Sequence, residues 1–165
     1  FFLVFLGFYC FLLFFIGVYW FFLIFCCGES LQDRQTDVHF DKVLRQMESA
    51  ILHLPSDVMD RVVVAYEPIW AIGTGLTATE EQAQEMHAAI RGWLGEAFDE
   101  DMAKSIPLLY GGSCKPANAD ALFACADVDG GLIGGAALDP DSFRALVEAA
   151  GRVSVARIEA GAEAS

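Results

Sequence analysis

From Phe1 to Cys27 the chain has no charged position, and beyond Cys27 apolar and polar residues recur in two alternating rhythms. The stretch 37–53 places Phe40, Val43, Leu44, Met47 and Ile51 at helical spacing on one face. Residues Val62 to Tyr66 form an unbroken apolar run, the pattern of a parallel strand covered on both faces. Thr79, with Gln82 three positions on, makes a capping box that opens a helix to about Phe98, turning Ala83, Met86, Ile90 and Leu94 inward. Leu108 to Tyr110 is a third run, a helix is predicted over roughly 117–125, and Gly131-Leu132-Ile133 follows as a further strand candidate. Asp139 before Pro140 caps a last helix with Phe143, Leu146 and Val147 apolar, and residues 152–165 lose the periodicity and are expected to fray.

Strand and helix patterns in strict alternation predict an α/β fold built on a parallel sheet with right-handed crossovers. Each apolar run ends directly in glycine or a charged residue: Gly28-Glu29, Glu67-Pro68, Gly111-Gly112-Ser113 and Gly134-Gly135. These are the C-terminal ends of the strands, where such sheets hold their ligands.

The apolar tract stands apart. About 20 apolar residues span a bilayer, so by length and hydropathy it reads as a helix-like membrane anchor. No Lys or Arg precedes it, no small-residue cleavage site follows it, and the chain opens on Phe1. Nearly all of its residues have thymine-rich codons, which makes a translated non-coding tract the competing reading. The expected division is an apolar segment 1–23, an α/β unit 24–151 and a tail 152–165.

Composition narrows the chemistry. A formal charge of −13 with no Lys/Arg cluster excludes nucleic acid as a partner. A small phosphate remains admissible, because backbone N–H groups in turns bind anions whatever the net charge. The cysteines Cys10, Cys26, Cys27, Cys114 and Cys125 have neither disulfide-framework nor zinc-ligand spacing, so no metal site is expected. They read as reduced thiols of a cytosolic-type protein, with Cys114 nearest to chemistry. His39, His53 and His87 lie in helical patterns and read as surface or packing residues.

The run Ala65-Tyr66-Glu67-Pro68-Ile69-Trp70-Ala71-Ile72-Gly73-Thr74-Gly75 resembles the signature of the triosephosphate isomerase family. Cys26-Cys27-Gly28-Glu29, Tyr110-Gly111-Gly112-Ser113 with Lys115-Pro116, and Asp129-Gly130 through Gly134-Gly135-Ala136 occur in the family's order. The resemblance implies the C-terminal half of a (β/α)8 barrel, strands five to eight, over residues 24 to about 150. It also implies the interconversion of dihydroxyacetone phosphate and glyceraldehyde 3-phosphate, without cofactor, in a cytoplasmic homodimer. Glu67 would be the catalytic base, since moving a proton between adjacent carbons needs a carboxylate facing the substrate. Pro68, Ile69, Trp70, Ala71, Ile72, Thr74 and Gly75 would form the closing lid, and Tyr110, with Ser113, its latch. Gly73, Ser113, Gly134 and Gly135 would bind the substrate phosphate. Glu29 and Arg34 resemble supporting charges.

The family also uses an Asn-x-Lys near its first strand and an electrophilic His after its fourth, and these 165 residues contain neither motif. Residues 1–23 hold no Lys and no His to replace them. The expectation is therefore an incomplete site with negligible isomerase activity by itself, and a four-stranded half with two unpaired edges. Two other readings are a membrane-tethered remnant that keeps the phosphate pocket, and a half-barrel that assembles with a separate N-terminal half.

Overall fold

The computed structural model describes residues 22–163 apart from Gly75. The apolar tract lies outside the described residues up to Phe21, and its last position, Leu23, already belongs to a strand. Four parallel strands, β1 (Leu23–Cys27), β2 (Val62–Tyr66), β3 (Leu108–Tyr110) and β4 (Gly130–Gly131), pair in chain order. Between them run α1 (Leu31–Gln35), α2 (His39–Ile51), α3 (Ser56–Met59), α4 (Glu80–Ala97), α5 (Glu100–Ser105) and α6 (Ala119–Ala124), and α7 (Pro140–Glu163) closes the order. The alternation thus gives the expected α/β fold with a parallel sheet.

The twofold period of a strand sorts its residues between two environments. Phe25 and Cys27, then Val62, Val64 and Tyr66, then Leu108 and Tyr110 join the core under the helices. Ile24, Cys26, Val63, Ala65 and Leu109 take the opposite face, where Ile24 and Cys26 are exposed. On the helical side the predicted faces pack as expected. Val43, Met47 and Ile51 of α2 and Ala83, Met86, Ile90 and Leu94 of α4 are buried, with Phe40 and Leu44 half-buried beside them. Leu94 is completely covered, so Leu94→Ala should cost about 3 kcal/mol in stability.

Local chemistry explains the helix starts. The capping box at Thr79 is formed: its hydroxyl accepts from the Gln82 N–H at 3.2 Å, and Gln82 Oε1 accepts from the Thr79 N–H at 3.0 Å. Ser30 and Asp33 make the same box for α1, a short helix the periodicity does not reveal because none of its residues is buried. Asp99 caps α5 through the Met102 N–H at 2.7 Å, and Asp139 caps α7 through the Ser142 N–H at 2.9 Å.

Two expectations need correcting. The run Gly131-Leu132-Ile133 is displaced: β4 is Gly130–Gly131, and beyond it only Leu132 continues the ladder, donating to the Tyr110 carbonyl at 3.0 Å. After Gly151 the helix does not fray but continues to Glu163. Val153 still packs against the core, but the other anchors are cationic, which hydrophobic periodicity does not reveal. Arg152 grips Asp120 of α6 at 2.8 Å, and Arg157 donates to the carbonyls of Phe123, Cys125 and Val128, where α6 ends. Among the described residues no helix is long and apolar enough to cross a membrane.

Candidate functional site

The ladder runs one residue past the strands and defines the site. Glu67 N–H donates to the Cys27 carbonyl at 2.7 Å, and Gly111 N–H donates to the Tyr66 carbonyl at 2.8 Å. Gly28, Glu67, Gly111 and Leu132 therefore follow Cys27, Tyr66, Tyr110 and Gly131 as the next row of the sheet. By alternation Glu67 falls on the same face as Val63, Ala65 and Cys26, away from the helices. Its neighbours across the row are both glycine, for a steric reason. A Cβ at Gly28 would collide with the Glu67 carbonyl oxygen, and one at Gly111 would lie 2.5 Å from Glu67 Cγ. Gly28 thus lets the two backbones approach, and Gly111 leaves the Glu67 side chain the room that a larger neighbour would take. Gly28 is itself clamped by Gln46 of α2, whose side-chain amide accepts from its N–H and donates to its carbonyl, each at 2.9 Å.

The segment after Glu67 is fastened at its near end. Buried Pro68 precedes a single 3-10 turn, Ile69–Ala71, in which Ala71 N–H donates to the Pro68 carbonyl at 2.8 Å. Glu29, only 1% exposed, holds that turn: its Oε1 accepts from Trp70 Nε1 at 2.8 Å and from the Tyr66 hydroxyl at 3.0 Å, and its carbonyl accepts from Ile69 N–H at 3.1 Å. The Arg34 guanidinium lies over the Trp70 ring and 3.7 Å from Glu29, and is anchored in turn by Glu85. The far end is looser. Ile72, Gly73, Thr74 and Leu76 are exposed, and Gly73 takes φ +68°, a conformation natural to glycine. Thr74 Oγ1 donates back to the Trp70 carbonyl at 2.8 Å. Gly75 lies outside the described residues.

This segment overhangs a cavity of about 410 Å³ lined by Ala71, Ile72, Gly73, Gly111, Gly112, Ser113, Cys114, Lys115, Ile133, Gly134, Gly135 and Ala136. The structure therefore brings Gly73, Ser113, Gly134 and Gly135 together from three separate loops around one space. Glu67 does not line that space; it stands behind Gly111, which forms part of the wall. Tyr110 is fully buried, with its hydroxyl packed against Gly112 and the Ala78 backbone close by, but without a hydrogen-bonding partner among the described residues. No histidine lines the cavity, and the described residues contain no cluster arranged to hold a metal ion.

Burial sets the protonation of the groups around Glu67. Cys26, on the open face, has its thiol pushed up by desolvation and by the charge of Glu67. Cys27, on the buried face, is pushed to about 12 by desolvation and by neighbouring Cys26, Glu29 and Glu67. Cys114 rises to about 11 by desolvation alone, so it lines the cavity as a neutral thiol. His87, fully buried between Tyr66 and Tyr110, is held below the usual histidine range by desolvation, with Nδ1 2.7 Å from the Ala83 carbonyl.

Sequence reasoning did not find the roles of Gly28, Gly111 and Gln46. The signal for the glycines was present in retrospect: each lies one residue past an apolar run, in the same row as Glu67. Gln46 had no local signal, because its role depends on where α2 packs.

A parallel α/β sheet with a carboxylate, an overhanging loop and a glycine-lined cavity at the C-terminal strand ends is the arrangement in which α/β proteins hold small ligands. The family model of triosephosphate isomerase matches residues 20–150. Triosephosphate isomerase from Flavobacterium johnsoniae is 52% identical over 126 residues, covering 76% of this chain and 50% of that protein. The enzymes from Porphyromonas gingivalis, at 52% over 126 residues, and Alkalilimnicola ehrlichii, at 53% over 127, are each matched over 50% of their own length. The chain belongs to the triosephosphate isomerase family, and it spans about half the length of the curated relatives it matches.

Proposed function

We propose that this chain supplies the base, the lid and the phosphate cradle of a triosephosphate isomerase site, its four strands being the fifth to eighth of a (β/α)8 barrel. The reaction interconverts dihydroxyacetone phosphate and glyceraldehyde 3-phosphate, and the complete protein works as a cytoplasmic homodimer. The observation that carries this reading is Gly111, which lines the cavity and leaves beside the Glu67 side chain the room that a Cβ would take.

In this reading Glu67 takes the proton from one carbon of the triose and returns it to the neighbouring carbon. Gly73, Ser113, Gly134 and Gly135 hold the phosphate, fixing the reacting carbons against Glu67. Pro68, Ile69, Trp70, Ala71, Ile72, Thr74 and Gly75 move as the lid. The near end pivots on the Glu29 contacts, and Tyr110 receives the far end. Closure would exclude water and strengthen every charge interaction inside.

Negative charge that develops on the substrate oxygens during proton transfer needs a cation or hydrogen-bond donor within reach. Among the described residues the cavity lining offers no histidine, and in this reading the electrophilic His and the Lys of Asn-x-Lys come from the family's other half. The polypeptide alone is expected to show no isomerisation above background. Co-expressed with an N-terminal half that carries Asn-x-Lys and the electrophilic His, it should gain activity, and Glu67→Gln should abolish that gain. Turnover by the chain alone, or an active Glu67→Gln assembly, would overturn the reading.

A further inference from the structure

We infer that Gln46 of α2 is a positioning residue for the base, holding the strand end against which Glu67 is set. This rests on the reading of Glu67 as the base and adds a residue that acts on it only through Gly28. The segment Cys27-Gly28-Glu29 divides its backbone groups between two partners. The Cys27 carbonyl accepts from Glu67 N–H at 2.7 Å and the Glu29 carbonyl from Ile69 N–H at 3.1 Å, so both serve the base and the turn that follows it. Gly28, between them, gives both of its groups to Gln46: its N–H donates to Oε1 and its carbonyl accepts from Nε2, each at 2.9 Å.

Gly28 is buried, so both of its polar groups need a protein partner, and a carboxamide supplies the donor and the acceptor together. Val43 and Met47, fully buried on the same helix, fix the face of α2 from which Gln46 reaches. The other neighbour of Gly28 is the base itself. A Cβ on Gly28 would collide with the Glu67 carbonyl oxygen, so the Gly28 Cα lies directly against the Glu67 backbone. Gln46 thus holds the one residue that touches Glu67 from the β1 end, between the two carbonyls that fasten Glu67 and Ile69. Freed from Gln46, this segment could shift and carry the base with it. A misplacement of about 1 Å at a reacting group costs on the order of 10²-fold in rate.

The test is steady-state kinetics of the full chain co-expressed with an N-terminal half that carries Asn-x-Lys and the electrophilic His, with rates normalised to folded protein. Gln46→Met keeps the length of the side chain and removes both hydrogen bonds. It should lower kcat roughly ten- to hundred-fold and leave KM within about two-fold, because Ser113, Gly134 and Gly135 stand on loops that Gln46 does not touch. Gln46→Glu keeps the acceptor for the Gly28 N–H and loses only the donor, so its kcat should fall between the two. Val43→Ala loosens the same helix without reaching Gly28; it should lower stability and keep the parent kcat. Parent kcat in Gln46→Met overturns the inference and leaves Glu67 as the base, and if the methionine variant does not assemble, parent kcat in Gln46→Glu does the same. An equal loss from Val43→Ala overturns it as well, by tracing the effect to helix packing. A parent assembly without activity overturns the reading of Glu67 and the inference with it.

Discussion

The two ends of the sheet are built from different materials. Where the strands begin, charge and hydrogen bonding do the holding. Arg91 of α4 donates to the carbonyls of Ala103 and Ile106 at 2.6 and 3.0 Å and pairs with Asp129 at 2.7 Å and Asp127 at 3.4 Å. Asp129 in turn accepts from Leu108 N–H at 2.7 Å, so one guanidinium ties α4, α5, β3 and the entry to β4 together. Where the strands end, the wall is glycine and short loops, with Glu67 beside Gly111 and Gly73 in a left-handed conformation. The lesson is a division of labour: the starting end can be fully satisfied because nothing has to enter it, while the finishing end must leave room for a ligand and movement.

That contrast is sharpest where a variant should move one property and not the other. Glu67→Gln at the finishing end should reduce the isomerase activity of a complemented assembly by about 10³-fold or more, with urea unfolding unchanged. A matching loss of stability would break the division. Arg91→Met at the starting end should do the reverse, lowering unfolding free energy by about 3 kcal/mol because Asp127, Asp129 and three carbonyls lose a donor together. Phosphate binding measured on the folded fraction should persist.

Gly28→Ala tests the close approach of the two strand ends at Glu67. The new methyl would meet the backbone of Glu67, which has little freedom to give, so about 2 kcal/mol of stability and the position of the base should be lost together. Equal activity of Gly28→Ala and parent assemblies would mean that this backbone approach does not place the base. Smaller still is Gly73→Ala, whose left-handed backbone costs a side chain about 1 kcal/mol while the methyl itself meets nothing. Here activity should fall through lid closure, leaving stability almost intact.

The finest test uses protons. His87 is buried and its folded-state affinity for a proton is depressed, so below about pH 6.5 the unfolded chain binds a proton that the folded chain refuses. Stability from this residue is complete above that pH and declines as the pH falls, with a slope of at most about 1.4 kcal/mol per pH unit. His87→Phe should flatten the acid limb of a denaturation series. An unchanged limb would assign the acid loss to carboxylates instead.

How legible the site was follows from how each residue acts. Glu67, Ser113, Gly134 and Gly135 stand at the ends of apolar runs, so strand periodicity and turn chemistry expose them in one dimension, whereas Gly73 is marked by the family's motif, which also supplies the candidate roles. The capping boxes at Thr79 and Ser30 are equally local, although the second marks a helix with no buried face and was passed over. Gln46, Arg91 and Arg157 have no comparable signal, since each acts on backbone groups far away in the chain. The helix after Gly151 was misread for the same reason.

What the sequence by itself determined is the order of strands and helices, which face of each is apolar, and the residue types placed at the strand ends. Those properties rest on near-neighbour geometry, the twofold and 3.6-fold periods and the conformational limits of glycine and proline. Only the tertiary structure decided the register that puts Gly28, Glu67 and Gly111 in one row. It also decided the closing of three loops around one cavity, and the distant carbonyls that Arg91 and Arg157 reach. Register and long-range hydrogen bonds depend on where whole elements pack, and a one-residue slip in that packing would carry Glu67 to the opposite face of the sheet.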